Sequence, residues 1–360
     1  MNRNFDVEKL VNHRVLGLSR ISNNLDRSQY IRLDKNENLY PYTESQLSII
    51  QKLIDSNLLS NYGDLTAAYA HLGERFSCTA SNIYLTAGAD LAIKSIYETF
   101  INDGAAVVLP ELAYGMHEVY SQQFGAACTM LKFNSDFEID INEALNFDIT
   151  PKVVFLESPS GVTGKSIPDQ AISKLSYSLR QRGSILVIDE TYAGITKDFI
   201  DPSIILTNPN LISVRSFSKG FGLAGMRGGL LFADASLIKW TKKTQPMHEI
   251  TSLTAKIIEE FMSTDDWVAP YQDFIRAGKL QVESSVNPKT FDLLTGDANF
   301  YLIKSKVSCV EDLNEFARAN GILIRQKFKS GALEGFFRVT IGSRSQNEEF
   351  LQLLHRYENL

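Results

Sequence analysis

The chain has 360 residues, 44% of them hydrophobic and 22% charged, with a formal net charge of −6. That is ordinary globular composition, long enough for a large core domain and a smaller one. Its acidic balance offers nothing to nucleic acid or an anionic membrane, and no apolar run is long enough to span a bilayer.

The N-terminus, MNRNFDVEKLVNHRV, is polar and lacks the apolar centre of a signal peptide. Cys78, Cys128 and Cys309 are far apart and odd in number, so neither a metal cluster nor a disulfide framework is expected. Free thiols without an export signal point to the cytoplasm.

Residues 1–40 read as an irregular arm with a short helix near 6–11. Thr43, Glu44, Ser45 and Gln46 fit a capping box opening a helix through SQLSIIQKLI. Residues 88–100 read as a second helix, its apolar positions filled by Leu91, Ile93, Ile96, Tyr97 and Phe100. Five apolar runs follow: 105–110, 152–158, 184–190, 211–218 and 228–234. They are nearly continuous in apolar character, the pattern of buried parallel strands, and helical stretches such as 169–181 separate several of them.

Beyond about Trp240 the pattern changes. One helical stretch is expected over 252–285, strands over 299–304 and 336–342, a helix over 310–320 between them, and a helix at the end. The expected organisation is an arm (1–40) packed on the small domain, a large α/β domain (41–245) and a small α+β domain (246–360).

The stretch SFSKGFGLAGMRGG, residues 216–229, carries the strongest chemical signal. Lys219 can form an imine, and Ser216, Ser218 and Arg227 can hold a phosphate beside it. A lysine imine next to a phosphate cup describes a pyridoxal-phosphate site. A nucleotide phosphate loop is the alternative, but the stretch contains no Gly-Lys-Ser/Thr.

In open α/β sheets, ligands bind beyond the carboxyl ends of the strands, where the other candidates fall. Asp189, ending 184–190, can keep a pyridine nitrogen protonated; alone, it would read as a helix N-cap. Tyr192 can hydrogen-bond the cofactor's phenolic oxygen, and Tyr114 can stack on its ring; alone, either would read as packing. Gly88, Ala89 and Asp90 open a helix whose amides and dipole can bind phosphate.

Together these residues resemble the fold-type I pyridoxal-phosphate aminotransferases of class I/II, nearest to the histidinol-phosphate aminotransferase group. The resemblance covers nearly the whole chain. It rests on LDKNEN (33–38), SNYGD (60–64), TAGADLAIK (86–94), PELAYGMH (110–117), VIDETY (187–192), residues 216–229, GILIRQ (321–326) and FFRVTIGSR (336–344). It implies a large domain built on a mostly parallel seven-stranded sheet. Lys219 would carry the imine and shuttle the proton, and Asp189 and Tyr192 would pair with the ring. Tyr114 would stack on it, and Ser216, Ser218, Arg227 and the Gly88–Ala89 amides would hold the phosphate. Tyr62 would reach across a homodimer interface to the partner's phosphate. Arg338, with Arg325 as a second candidate, would bind the substrate's carboxylate or phosphate, and Asn36 would lie on the substrate side.

The sequence departs from that family in three places. Where Asn-Pro-Thr-Gly is usual, SPSGVTG (158–164) puts Gly161 in the asparagine's position. Loss of a donor to the phenolic oxygen is expected to raise the pKa of the lysine–cofactor imine. VLGLSRISNN occupies the region of the tyrosine that histidinol-phosphate enzymes use near the substrate phosphate. Pro246-Met247-His248-Glu249 replaces Pro-Tyr-Asn, so His248 and Glu249 are candidates to face the substrate.

The expected reaction moves an amino group from a donor such as glutamate to a small carbonyl or keto acid, with or without a phosphate. The alternative is decarboxylation of a phosphorylated amino acid on the same scaffold, with an amino-acid oxidase more distant. A regulator without activity would need a basic patch or a fused DNA-binding segment, and neither is visible.

Overall fold

The computed structural model describes residues 7–19, 25–54, 56–146, 148–263, 267–306, 312–329 and 331–359. Asp6, Cys309 and Val310 lie outside them, as does part of the VLGLSRISNN segment. Twelve strands occur among the described residues: β1 (Ile31–Leu33), β2 (Ile83–Thr86), β3 (Ala106–Pro110), β4 (Ala127–Leu131), β5 (Val153–Glu157), β6 (Ile185–Asp189), β7 (Leu211–Ser216), β8 (Gly229–Ala233), β9 (Phe291–Thr295), β10 (Phe300–Ser305), β11 (Ile322–Ile324) and β12 (Phe337–Thr340).

Seven strands form the central sheet in the order β2-β8-β7-β6-β5-β3-β4. All its pairings are parallel except those of β8, which is antiparallel to both neighbours. Every residue of β2, β5, β7 and β8 is buried. Helices cover both faces, which is why these strands are apolar throughout instead of alternating. Two buried clusters line the two faces, one around Leu85, Leu186 and Leu230, the other around Tyr97, Val187 and Leu231.

The register places Glu157 beside Asp189 and Ser216 beside Gly229 at one edge of the sheet. This is the carboxyl edge of β5, β6 and β7, where an open α/β sheet accepts ligands.

A second core forms around an antiparallel sheet, β12-β10-β9, and a parallel pair, β1-β11. The N-terminal segment thus completes the small domain through β1, with Ile31 opposite Ile322. Earlier, the helix His13–Leu16 lies on the large domain, where Arg14 pairs with Asp103 at 2.7 Å.

Two sequence expectations are corrected in the C-terminal third. The stretch 252–285 is two helices, Ser252–Ser263 and Ala269–Ser285, the second with Pro270 in its first turn. Proline fits a helix start and disrupts a helix interior. The change of core falls near residue 268, not 245: Ala255, Ile257, Ile258, Phe261 and Trp267 are buried with the large domain's core. The first helix turns its apolar side toward the large sheet, so its chain position does not reveal its domain.

Candidate functional site

The anion cup is built from close backbone contacts. Gly88 (φ +85°) precedes the helix Ala89–Phe100. Gly229 packs against it so tightly that a β-carbon there would lie 2.6 Å from the carbonyl carbon of Gly88 and 2.7 Å from the amide nitrogen of Ala89. Arg227, itself left-handed at φ 54°, lays its guanidinium over Gly88. A β-carbon at Gly88 would meet Arg227 Nη2 at 2.8 Å. At the end of β7 the Ser216 hydroxyl accepts the Ser218 amide at 3.1 Å, and both serines are buried. A helix N-terminus, an arginine and two hydroxyls make a strong anion site. Asp90, in the same first turn, accepts the Tyr120 hydroxyl at 2.7 Å.

Lys219 lies beyond the cup, half-buried, with Nζ donating to the Lys35 carbonyl at 2.7 Å. Burial holds its pKa below the usual lysine range, and nearby Arg338 and Arg227 add to that. Asp189 keeps some solvent access yet lies deep in the protein, and that depth pushes its pKa up to about 7, with the Glu157 carboxyl a further cause. It accepts the Thr191 amide at 2.8 Å.

The Tyr192 hydroxyl accepts from Asn36 Nδ2 at 2.9 Å, leaving its own proton to donate elsewhere. Asn36 is fully buried and left-handed, and its Oδ1 accepts from Thr340 at 3.1 Å. Tyr114 is 46% exposed, and its hydroxyl pKa is pushed up to about 12 by burial, with Asp90 and Asp189 contributing.

Arg338, on β12, donates from Nη1 to the Gly161 carbonyl at 2.6 Å and lies 5.2 Å from the Phe300 ring centre. Its Nε is buried without a partner. A buried orphan donor is costly, so this atom awaits an acceptor. The exposed Arg325 donates its amide to the Arg338 carbonyl at 3.0 Å, and its charge acts on the Arg338 guanidinium.

Two expected substrate-side residues lie elsewhere. His248 stacks face to face on Tyr62, with ring centres 3.9 Å apart, and Tyr62 is 83% exposed. Both line a cavity of about 1050 Å³ that reaches Ala87 and Arg227; Lys219, Asp189 and Tyr192 do not line it. Glu249 lines the same cavity, and its carboxylate accepts the Tyr69 hydroxyl, which in turn accepts the Leu85 amide.

Sequence reasoning missed Glu157. Its carboxyl accepts the Tyr114 amide at 3.1 Å and the Gly161 amide at 2.7 Å. A signal was present, since Glu157 is an acidic residue closing an otherwise apolar strand, as Asp189 is.

The residues present fit pyridoxal phosphate. They supply a cup for its phosphate, an amine for its carbonyl, a carboxyl for its ring nitrogen, a hydroxyl with a free proton for its phenolic oxygen, and an orphaned guanidinium donor for a substrate anion. Among the described residues there is no His/Cys/Asp/Glu group that could hold a metal, and no helix long and apolar enough to cross a membrane.

The family described as "Aminotransferase class I and II" matches residues 28–354. A histidinol-phosphate aminotransferase from Thermoanaerobacter sp. is 27% identical over 346 residues, covering 95% of this chain and 97% of that protein. Among solved structures, the histidinol-phosphate aminotransferase of Sinorhizobium meliloti, in complex with pyridoxal-5'-phosphate, superposes with a TM-score of 0.85 at 18% identity, covering 97% of each chain. The L-threonine-O-3-phosphate decarboxylase of Porphyromonas gingivalis does so with a TM-score of 0.75 at 18% identity, covering 92% of this chain and 100% of that one.

Proposed function

The chain belongs to the class I and II aminotransferases, and from that premise we propose how its residues divide the work and what it acts on. It is a pyridoxal-phosphate-dependent aminotransferase. When bound, the cofactor supplies an electrophilic carbonyl and an electron-withdrawing ring.

Lys219 would hold the cofactor through Nζ; displaced by the incoming donor's amine, the freed Nζ would move the proton at the substrate's Cα. Its lowered pKa favours a neutral amine able to accept that proton. Asp189, as carboxylate, holds the proton on the ring nitrogen. Tyr192 donates to the phenolic oxygen, oriented by Asn36. Tyr114 covers the ring face. Ser216, Ser218, Arg227 and the amides at Gly88 and Ala89 hold the phosphate.

Arg338 binds the substrate's carboxylate. The observation carrying this reading is its buried, partnerless Nε, close enough to Lys219 for the two charges to repel. A guanidinium suits a carboxylate or a phosphate equally. The donor is an amino acid such as glutamate; the acceptor is a small carbonyl or keto acid. A phosphate on the acceptor is supported by the relatives named for histidinol phosphate.

The working unit is a homodimer in the cytoplasm. Tyr62 would reach across to a partner's cup, a reading supported by its exposure. Arg325 and His248 are held in reserve at the rim for the longer end of the acceptor.

Mixing the cofactor-loaded protein with glutamate, other single amino acids and O-phosphorylated amino acids tests this. The expected result is loss of the visible cofactor band with one equivalent of keto acid and no carbon dioxide. Carbon dioxide release with the band restored would replace transfer by decarboxylation.

A further inference from the structure

Gly161 is held from both sides by groups of different domains. Its amide donates to Glu157 Oε2 at 2.7 Å, and its carbonyl accepts from Arg338 Nη1 at 2.6 Å. The other Glu157 oxygen accepts the Tyr114 amide at 3.1 Å. A single buried carboxyl therefore links the loop after β3, the loop after β5 and, through the one residue Gly161, the arginine on β12. It lies beside Asp189 in the sheet register.

The space is also taken. A β-carbon at position 161 would lie 3.0 Å from Tyr192 Cε2 and 3.2 Å from Glu157 Oε2. A side chain there, such as the asparagine of the resembled family, requires Tyr192 and Glu157 to give way by a few tenths of an ångström.

We propose that Glu157 is a positioning residue of the amino-transfer site, whose carboxyl occupies the space an asparagine at 161 would use and ties the Tyr114 loop to the anion anchor Arg338. The inference rests on the reading of Arg338 and Tyr114 given above. Glycine at 161 and glutamate at 157 are then one choice: the small residue makes room for the carboxyl, and the carboxyl satisfies two amides that would otherwise be buried without acceptors. Burial pushes the Glu157 pKa up, while the two amides and Arg338 pull it down. Burial is the larger influence, so the net shift is upward, and the two amides and Arg338 offset part of it.

Two measurements test this. Glu157→Gln keeps the volume, but its amide nitrogen must face one of the two N–H donors, so one bond is lost. The donor's KM is expected to rise by about tenfold or more, with a smaller change in kcat. The second measurement needs no activity. In cofactor-free protein, Gly161→Asn is expected to lower the melting temperature by several degrees beside Glu157, and by less in a Glu157→Ser background. Equal losses in both backgrounds, or an unchanged KM in Glu157→Gln, would overturn the proposal. A wild type that reacts with no amino acid, while the melting-temperature coupling holds, would sink the functional reading and leave Glu157's place in the loop supported.

Discussion

Lys219→Ala is expected to lower the rate of the donor half-reaction by at least about 10⁴-fold. Two roles are lost together, the amine that joins the cofactor and the base that moves the Cα proton, and no neighbour can replace either. Around Nζ, Arg338 and Arg227 are cations, the Glu37 carboxylate is tied to Arg27, and the Tyr192 hydroxyl accepts from Asn36 and is assigned to the cofactor's phenolic oxygen. The Gly88–Ala89 amides and Asp189 lie on other segments, and Ser216, Ser218 and Arg227 share the loop of Lys219 without bonding its Nζ, so the variant should still bind pyridoxal phosphate non-covalently. Among the described residues, the one side-chain hydrogen bond it gives up is from Nζ to the Lys35 carbonyl. Stopped-flow absorbance with saturating glutamate measures the rate, and cofactor titration confirms the intact cup. A variant turning over within tenfold of wild type would remove Lys219 from the mechanism.

Asp189→Asn is the second large effect. A carboxylate at the ring nitrogen stabilises a proton there, and an amide stabilises it far less. Loss of one such preorganised partner costs on the order of 10²–10³-fold in rate. The same substitution has a signature in cofactor-free protein. The folded chain keeps the Asp189 proton up to about pH 7, whereas an unfolded chain releases it near about 3.9. Between those values the folded state binds the extra proton, so this group's contribution to stability is present at low pH and is lost as pH rises through 7. Glu157, also raised, acts in the same direction. The melting temperature of cofactor-free wild type should therefore fall between pH 5 and pH 8 by more than that of Asp189→Asn. Parallel curves would show that Asp189 is not the buried acid described.

The chemistry of this chain was legible where it is local. Ser216, Ser218, Lys219 and Arg227 lie within twelve positions, and the loop between them closes on itself, so the cup could be read from the string. Asp189 was legible because a charged residue ending an apolar run must sit at a sheet edge. The same rule applied to Glu157, but it reaches Arg338 only through the Gly161 carbonyl, and Arg338 lies 177 positions beyond Gly161. The surroundings of His248 were not legible for a related reason: it stacks on Tyr62, a neighbour that only the fold provides.

The fold divides in the same way. The five runs became β3, β5, β6, β7 and β8 because strands covered on both faces must be continuously apolar. β4 escaped notice: Ala127–Leu131 is an edge strand with four of five residues exposed, and no apolar run marks it. β2 is four residues long, too short to stand out from the helices around it. The helix Ser252–Ser263 shows that an apolar face announces burial without saying against which sheet.

The central claim is that Lys219 carries the cofactor. Borohydride reduction of the loaded protein, followed by proteolysis and mass spectrometry, tests it most directly, because reduction fixes a lysine–cofactor imine as a stable amine. The phosphopyridoxyl mass is predicted on the peptide containing Lys219 and on no other lysine. A label on a different lysine, or none on a protein that binds the cofactor, would contradict the account.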